Sequence, residues 1–176
     1  MLYRPPVRTR AWLTLLCLAV AGGTTAGCVK KPTMALDHAE ITGVSIAFPP
    51  RIGVLMTLYV DVYNPNSYDI AVRAVRGQVL LGGRYTLPVD FQPEGGGVWL
   101  VSGATTPVAV PVDIPVNVAV AVLGESYASP TIPYHFTGRA DVTATRTFQI
   151  EKDDYSLSDD GWVSRQQIES AVHGLR

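Results

Sequence analysis

The chain has 176 residues, a formal net charge of −1 at pH 7 and 47% hydrophobic side chains. This size and apolar fraction suit one packed domain and exclude a disordered polymer. The balanced charge provides no basic surface of the kind that binds nucleic acid, so we expect no nucleic-acid partner.

An N-terminal targeting segment is predicted for residues 1–27. Its positive region contains Arg4, Arg8 and Arg10, and its apolar region covers residues 11–20. A membrane-spanning helix needs about 20 apolar residues, whereas this stretch ends sooner in small residues. We therefore predict a signal peptide that is cleaved and takes no part in the fold.

The end of this segment, Ala26-Gly27-Cys28, resembles a bacterial lipobox, in which cleavage precedes a cysteine that is then lipidated. Thr25 stands where that motif usually has leucine. We expect Cys28 to be the mature N-terminus and to carry three acyl chains, palmitate among them, which anchor the protein in a membrane. The alternative is cleavage after Ala26, which would release a soluble periplasmic protein.

Two more residues bear on location and redox chemistry. Val29, in the second mature position, resembles the residue found in lipoproteins sorted to the outer membrane. We therefore predict an outer membrane lipoprotein that faces the periplasm. Cys17 leaves with the signal peptide, so the mature chain retains Cys28 alone and forms no internal disulfide.

Residues 28–38 are predicted to be the lipidated N-terminus and a polar tether. A domain at 39–155 and a tail at 156–176 are expected to follow. The first strand is predicted from residue 40 to residue 48, where Pro49-Pro50 ends it.

The clearest strand covers residues 55–63. One parity carries Met56, Leu58, Val60 and Val62, and the other carries Thr57, Tyr59, Asp61 and Tyr63, as in a half-buried antiparallel strand. Asn64-Pro65-Asn66 follows it. We interpret this motif as a structural turn, because asparagine side chains bond to nearby backbone and proline fixes its own φ. A solvent-facing recognition surface is the alternative.

Two strands, at 70–81 and 85–91, are predicted on either side of a Gly82-Gly83 turn. After a glycine-rich loop, residues 98–101 are apolar enough to reach the core or a partner.

Prolines mark the next strand, at 105–115. Its apolar residues share one parity, and Pro107, Pro111 and Pro115 share the other. Prolines of one parity leave one side of a strand short of N–H donors, so this segment is predicted to be an edge strand.

The remainder of the chain is less regular. Residues 116–123 alternate like a strand, but their alanines also permit a short helix, and both assignments stay open. A long strand is predicted at 131–143, with its partner starting at Phe148. Residues 153–161 are interpreted as a solvated turn, and 164–176 as at most a weakly docked helix.

About seven short strands separated by frequent turns indicate an all-β fold. We predict an antiparallel β-sandwich of the fibronectin type III or immunoglobulin-like kind.

Four motifs, in this order, resemble the WHy (water stress and hypersensitive response) domain of type 2 late embryogenesis abundant (LEA) proteins. They are Asn64-Pro65-Asn66 after an alternating strand, Gly82-Gly83 after the next strand, the proline-rich strand 107–115 and the segment 132–138. The resemblance covers residues 41–149. It implies a fibronectin-III-like sandwich with one short helix and a role in tolerance of desiccation or related stress.

The resemblance implies no catalytic residue and no cofactor. Two features depart from the family pattern: the valine alternation at 116–122, where the family has a helix, and the acidic segment 153–162.

No residue set in the sequence predicts a catalytic, metal or cofactor site. His38, His135 and His173 lack Cys or His neighbours at ligand spacing. The carboxylates at 153–161 lack the ladder of a calcium loop, and residues 124–128 lack the closing glycine of a nucleophile elbow. We therefore predict that the protein is not an enzyme, and no small-molecule substrate is identified.

Tyr59, Tyr63 and Trp99 are the candidate binding residues, because Tyr and Trp are enriched where proteins hold partners. The alternative is that they cover a second core face. The expected partners are client proteins or envelope components, together with the membrane that the lipid reaches.

The function expected from these features is a protective or binding role for a membrane-anchored lipoprotein during desiccation or other water stress. The alternative is an accessory structural or adaptor lipoprotein of an envelope, secretion or surface-appendage assembly.

Overall fold

The computed structural model describes residues 30–47, 51–144 and 150–175. Residues 31–176 form one compact unit. The signal segment 1–27, Cys28, the predicted strand end at 48–50 and the predicted strand start at Phe148 lie outside the described residues.

Within these ranges, eight strands form two antiparallel sheets. The strands are β1 (Thr33–Ala47), β2 (Arg51–Tyr63), β3 (Ile70–Leu81), β4 (Tyr85–Phe91), β5 (Val98–Leu100), β6 (Thr105–Pro115), β7 (Thr131–Ala144) and β8 (Ile150–Ser164). The three-stranded sheet has the order β1-β2-β6. The five-stranded sheet has the order β4-β3-β7-β8, with β5 also pairing with β3. The prediction of an all-β antiparallel sandwich is confirmed.

The core lies between the two sheets and follows the predicted alternation. On β2 the four residues of the apolar parity, Met56, Leu58, Val60 and Val62, are at most 3% exposed. On β7 the inward residues Ile132, Tyr134, Phe136, Ala140 and Val142 are buried as well. The period of two therefore identified the core face of both strands correctly.

The predicted edge strand is also confirmed, because β6 pairs with β2 alone and ends its sheet. Pro107, Pro111 and Pro115 lie opposite Asp61, Thr57 and Gly53 of β2. A proline cannot donate to the ladder, so these are positions whose main chain points away from β2.

The predicted tether at 28–38 is wrong in its extent. β1 begins at Thr33, which pairs with Tyr63, so the second half of the predicted tether is strand. Its register slips between Leu36 and His38 and again between Ile41 and Gly43. These irregularities interrupt the alternation, which explains why the sequence pattern placed the strand start too late.

The predicted solvated turn at 153–161 and the boundary at 155 are also wrong, because β8 runs through both as one strand. Tyr155, Leu157 and Val163 are buried on its inner face. Asp159 and Gly161 occupy the inward parity between them. Because these two inward positions are not apolar, the alternation that predicts a strand is interrupted, and the sequence pattern did not indicate β8 here.

Two short helices complete the fold, where the resemblance implied one. Helix α1 (Val116–Glu125) buries Ala119 and Val122, which are three residues apart, so the ambiguous segment is helical. Helix α2 (Arg165–His173) buries Ile168 completely, so it is docked more firmly than predicted.

The sandwich has two distinct ends. The Asn64 end contains Thr33, the turn after β2 and the start of β6. The hairpin end contains the last residues of β1, the first of β2 and both helices. No helix in the described ranges is long and apolar enough to cross a membrane.

Candidate binding surface

Asn64 is a buried hydrogen-bonding centre at the Asn64 end. Its side-chain Nδ2 donates to the carbonyl oxygens of Tyr68, at 2.8 Å, and Leu100, at 3.2 Å. Its Oδ1 accepts from both the backbone N–H and the side-chain amide of Asn66, each at 3.1 Å. The main chain of Asn64 donates to the Ala104 carbonyl at 3.0 Å.

These bonds tie the turn after β2 to β5 and to the loop before β6. Asn64 is 0% exposed and Asn66 is 5% exposed. The structural interpretation of Asn64-Pro65-Asn66 therefore agrees with the geometry. A solvent-facing recognition surface made by the two asparagines does not.

Tyr59 lies on the outer face of the three-stranded sheet. The ring of His38, on β1, stacks on it with ring centres 4.5 Å apart and an interplanar angle of 17°. Ala109 of β6 lies opposite Tyr59 on its other side. The tyrosine is therefore held in place between two strands while part of its ring remains accessible.

Tyr63 lies on the same face, four residues along β2, and is 40% exposed. Asp61 separates the two tyrosines and faces Pro107 across the strand pair. We call the surface formed by Tyr59, Tyr63, Pro107, Ala109 and Pro111 the Tyr–Pro face.

The charge on this sheet has one predominant sign. The sequences of β1, β2 and β6 carry Asp37, Glu40, Asp61 and Asp113 but contain no lysine, and their single arginine is Arg51. Arg51 is the first residue of β2, at the hairpin end. The Tyr–Pro face is thus an aromatic and proline-rich surface bordered by carboxylates.

Trp99 does not join the two tyrosines. It lies on β5, which belongs to the five-stranded sheet, and pairs with Ala71 of β3. Its neighbour Leu100 points into the core and is 0% exposed. Because successive side chains of a strand alternate, Trp99 faces the outside of the opposite sheet. The three predicted binding residues therefore form two separate surfaces.

Sequence reasoning missed the prolines of the Tyr–Pro face and also His38, whose ring stacks on Tyr59 of that face. The sequence pattern of the prolines predicts an edge strand but does not show which residues lie beside them. Their position beside the tyrosines depends on the β2–β6 register, which places Pro107 opposite Asp61 and Pro111 opposite Thr57. The parity of the prolines was the available signal, since outward prolines on a strand next to outward tyrosines must share a face.

The outer face of the five-stranded sheet is polar by comparison. Arg76 pairs with Asp141 at 2.6 Å and lies 3.6 Å from Asp90. His135 Nδ1 is 2.7 Å from Asp160. Except for Asp141, whose side chain is 15% exposed, these side chains are at least 40% exposed, so the pairs of Arg76 with Asp90 and of His135 with Asp160 contribute little to stability, about 0–1 kcal/mol.

Ser158 adds a third member to the His135 pair. Its hydroxyl lies 3.4 Å from His135 Nε2, while Nδ1 faces Asp160, the order found in a serine–histidine–aspartate triad. The side chain of Asp160 is 84% exposed, however, whereas the aspartate of a working triad is buried. We assign this group to the solvated surface of the sheet.

Two buried tyrosines have raised pKa values. Burial raises the pKa of Tyr134 to about 12, and the nearby Asp159 carboxylate adds to the effect. Burial also raises the pKa of Tyr155. Both side chains lie on inner faces at β7 and β8, so the phenols stay neutral and part of the core.

No three His, Cys, Asp or Glu side chains within the described ranges come together in a way that would hold a metal ion.

No protein-family model and no curated protein matches the chain. Several solved structures are similar. A solution structure of an Arabidopsis thaliana protein is 17% identical, with a TM-score of 0.47 over 75% of this chain and 83% of that one. A protein named as a candidate LEA protein is 18% identical, with a TM-score of 0.46 over 88% and 84% of the two chains. A crystal structure of an Archaeoglobus fulgidus protein is 6% identical, with a TM-score of 0.43 over 77% and 95%. Similarities at this level of identity and TM-score do not assign the chain to a family or to an activity.

Proposed function

We propose that this chain is a non-enzymatic, membrane-anchored binding protein of WHy type that holds partly exposed protein surface during water stress. The Tyr–Pro face is the observation that supports this role. It places Tyr59 and Tyr63 on one face of the three-stranded sheet, next to Pro107 and Pro111 and away from any lysine in these strands.

The chemistry of this face suits contact with apolar protein surface. Tyrosine offers a large apolar ring with a polar tip and loses little conformational entropy when it is held. The His38 ring already restricts Tyr59, and the prolines have no rotamer freedom to lose. Binding at this face therefore requires little ordering of the protein.

The proposed anchor would lie at the Asn64 end. If Cys28 is lipidated, the few residues up to Thr33, where β1 begins, reach at most about 18 Å when extended. The sandwich would then stand close to the membrane on its Asn64 end, with the Tyr–Pro face on its side and the hairpin end directed away. Cys28→Ser is expected to release the protein from the membrane fraction, and unchanged retention would contradict the anchor.

The binding role can be tested by light scattering of a heat- or drying-labile enzyme. Residues 31–176 are added and compared with an equal mass of an unrelated β-sandwich. We expect suppression of aggregation beyond that control, and we expect the double variant Tyr59→Ala/Tyr63→Ala to lose most of it. Tyr127→Ala is the matched control, because Tyr127 is 81% exposed but lies after α1, at the hairpin end.

Scattering equal to that of the unrelated β-sandwich would contradict the protective role. Equal loss of suppression in the Tyr59/Tyr63 double variant and the Tyr127 variant would contradict the assignment to the Tyr–Pro face. Co-purification of one stoichiometric envelope partner in place of broad client binding would identify the protein as an adaptor.

A further inference from the structure

The β1–β2 hairpin projects beyond the core at the hairpin end. The last pair of the β2–β6 ladder is Gly53 with Pro115, so Arg51 and Ile52 pair with β1 but not with β6. On the projecting part, Ile46 is 79% exposed, Ile52 48% and Val44 38%. These three residues have the same parity as buried Val54, so they continue the apolar inner face past the point where the other sheet covers it.

The direction of the main chain on β1 follows from the prolines of β6. Because Pro115 cannot donate to Gly53, the main chain of Gly53 points away from β6 and toward β1, where it bonds to Ser45. Main-chain N–H and C=O groups alternate in direction along a strand, so those of the residues on either side of Ser45 point away from β2. The N–H and C=O groups of Val44 and Ile46 are therefore directed to the open edge of the sheet.

Most of the other sheet edges are protected against pairing. β6 has its three prolines, and β4 carries Pro88. The first half of β1 is interrupted by two register shifts, and the Leu36 N–H donates to the Asp159 carboxylate at 3.0 Å. Prolines, bulges and inward charges are the devices by which edges avoid added strands. Residues 43–47, Gly-Val-Ser-Ile-Ala, contain no proline and no charge.

We propose that residues 43–47 of β1 bind an extended peptide segment of another protein as an added β-strand. The strand would bond to the main chain of Val44 and Ile46, and its alternate apolar side chains would pack on the ledge formed by Val44, Ile46 and Ile52. This is the β-augmentation mode of recognition, in which main-chain bonds give affinity and side-chain contacts give selectivity. It uses a surface separate from the Tyr–Pro face and stands whether or not that face binds clients.

The main-chain groups decide between a peptide and a lipid as the occupant. A lipid surface could cover the apolar ledge but would leave the N–H and C=O groups of Val44 and Ile46 without partners, which is costly in hydrocarbon. A polypeptide strand satisfies both the polar edge and the apolar ledge. The occupant is therefore an extended, proline-free segment with apolar residues at every second position.

The test uses the full chain in phospholipid nanodiscs and a fluorescent peptide of about nine residues that alternates valine or isoleucine with threonine. Binding is followed by fluorescence anisotropy, with empty nanodiscs as the blank. Val44→Pro removes one donor from the open edge without touching the β1–β2 ladder, and we expect it to weaken binding at least about ten-fold. Ile46→Lys is expected to do the same through its charge.

Thr86→Pro is the matched control. Thr86 is exposed on β4 and has the same parity as Pro88, so this change also removes a donor from a sheet edge, but from one that a proline already protects and that lies outside the Tyr–Pro face. We expect it to leave peptide binding unchanged. A peptide methylated at alternate backbone nitrogens should bind weakly to the unchanged protein, because it cannot donate to the edge.

Three results would overturn the proposal. The first is absence of peptide binding by the unchanged protein. The second is equal binding by the Val44→Pro and unchanged proteins when circular dichroism shows both folded. The third is concentration-dependent dimerisation that Ile46→Lys abolishes while peptide binding persists, which would make a second copy of this chain the occupant of the edge.

Discussion

At the Asn64 end, one buried residue joins three segments of the chain through side-chain and main-chain hydrogen bonds, whereas at the hairpin end β1 and β2 continue past the core with apolar residues exposed. Among the described residues, the large apolar side chains that remain exposed are mostly at the hairpin end. They are Val44, Ile46, Ile52, Val120, Tyr127 and Trp162, and only Tyr63 and Val101 lie near the Asn64 end.

This difference separates stability from binding. At the Asn64 end the two buried asparagine side chains are used in hydrogen bonds within the protein, and few large apolar side chains are exposed. Within the described ranges, the hairpin end leaves a strand edge and an apolar ledge uncovered, although the neighbouring residue Tyr134 is buried. Large exposed apolar groups gathered in one region indicate an interaction site more often than chance exposure does.

The largest effect is expected at the Asn64 end. Asn64→Ala removes the hydrogen bonds that this side chain makes with the Tyr68 and Leu100 carbonyls and with the Asn66 amide, so we expect a loss of about 3 kcal/mol in the free energy of unfolding. Urea denaturation measures it. Ser67→Ala, at an exposed residue of the same turn, should change stability by less than about 0.5 kcal/mol. A loss below about 1 kcal/mol for Asn64→Ala would contradict the central role of this residue.

A somewhat smaller effect is expected where the hairpin end is still packed. A Cβ added at Gly161 would overlap the ring and hydroxyl of Tyr134, which lies directly opposite on β7. We expect Gly161→Ala to destabilise the protein by about 1–3 kcal/mol, as overpacking does.

Thermal unfolding would show this effect as a lower Tm. Gly124→Ala is the control, because an added Cβ meets nothing within 4 Å there and alanine favours the helix. Equal Tm values for the two variants would show that Tyr134 packs less tightly against Gly161 than the structure indicates.

The projecting hairpin should respond to proline according to residue parity. Ser45 pairs with Gly53 through the ladder, so Ser45→Pro removes a bond and should cost about 1 kcal/mol or more. Val44 directs its N–H outward, so Val44→Pro should cost less than about 0.5 kcal/mol. Equilibrium unfolding of both variants checks the assignment, and the reverse order of stabilities would invalidate the proposed binding edge.

The last effect is absent at neutral pH and appears only in alkali. The pKa of Tyr134 is raised from 10.0 to about 12, so between these values the phenol ionises in the unfolded chain but stays neutral in the folded protein. The unfolded state then binds fewer protons, and stability falls as the pH rises through this range.

Tyr134→Phe should make that alkaline loss shallower without removing it, because burial also raises the pKa of Tyr155. Urea midpoints measured from pH 8 to pH 11.5 would show the difference. A pH dependence identical in both proteins would mean that Tyr134 is solvated in the folded state.

Local patterns in the sequence were sufficient where each strand has one apolar and one polar parity. The β2 alternation identified its core face, and the parity of three prolines predicted the edge position of β6. Gly82 and Gly83 adopt positive φ angles of 60° and 70° between β3 and β4, as their turn position predicted. These features are visible because each depends on the residue itself or on its immediate neighbours.

Tertiary contacts decided what the patterns missed. Asp159 and Gly161 interrupt the apolar parity of β8, but each fits its inward position because of a contact with another strand. The Leu36 N–H of β1 donates to the Asp159 carboxylate, and the Tyr134 side chain of β7 fills the space next to Gly161. Similarly, residues 116–123 alternate like a strand but form α1, because packing rewards the helical spacing of Ala119 and Val122.

The sequence by itself determined the fold class, the core faces of the main strands, the protected edge and the structural nature of Asn64-Pro65-Asn66, since all of these follow from periodicity, proline chemistry and local side-chain bonding. Only the tertiary structure decided which exposed aromatic residues share a surface and where an unprotected edge remains. Both depend on strand register and on how far one sheet extends beyond the other, and these are set by contacts between residues distant in sequence.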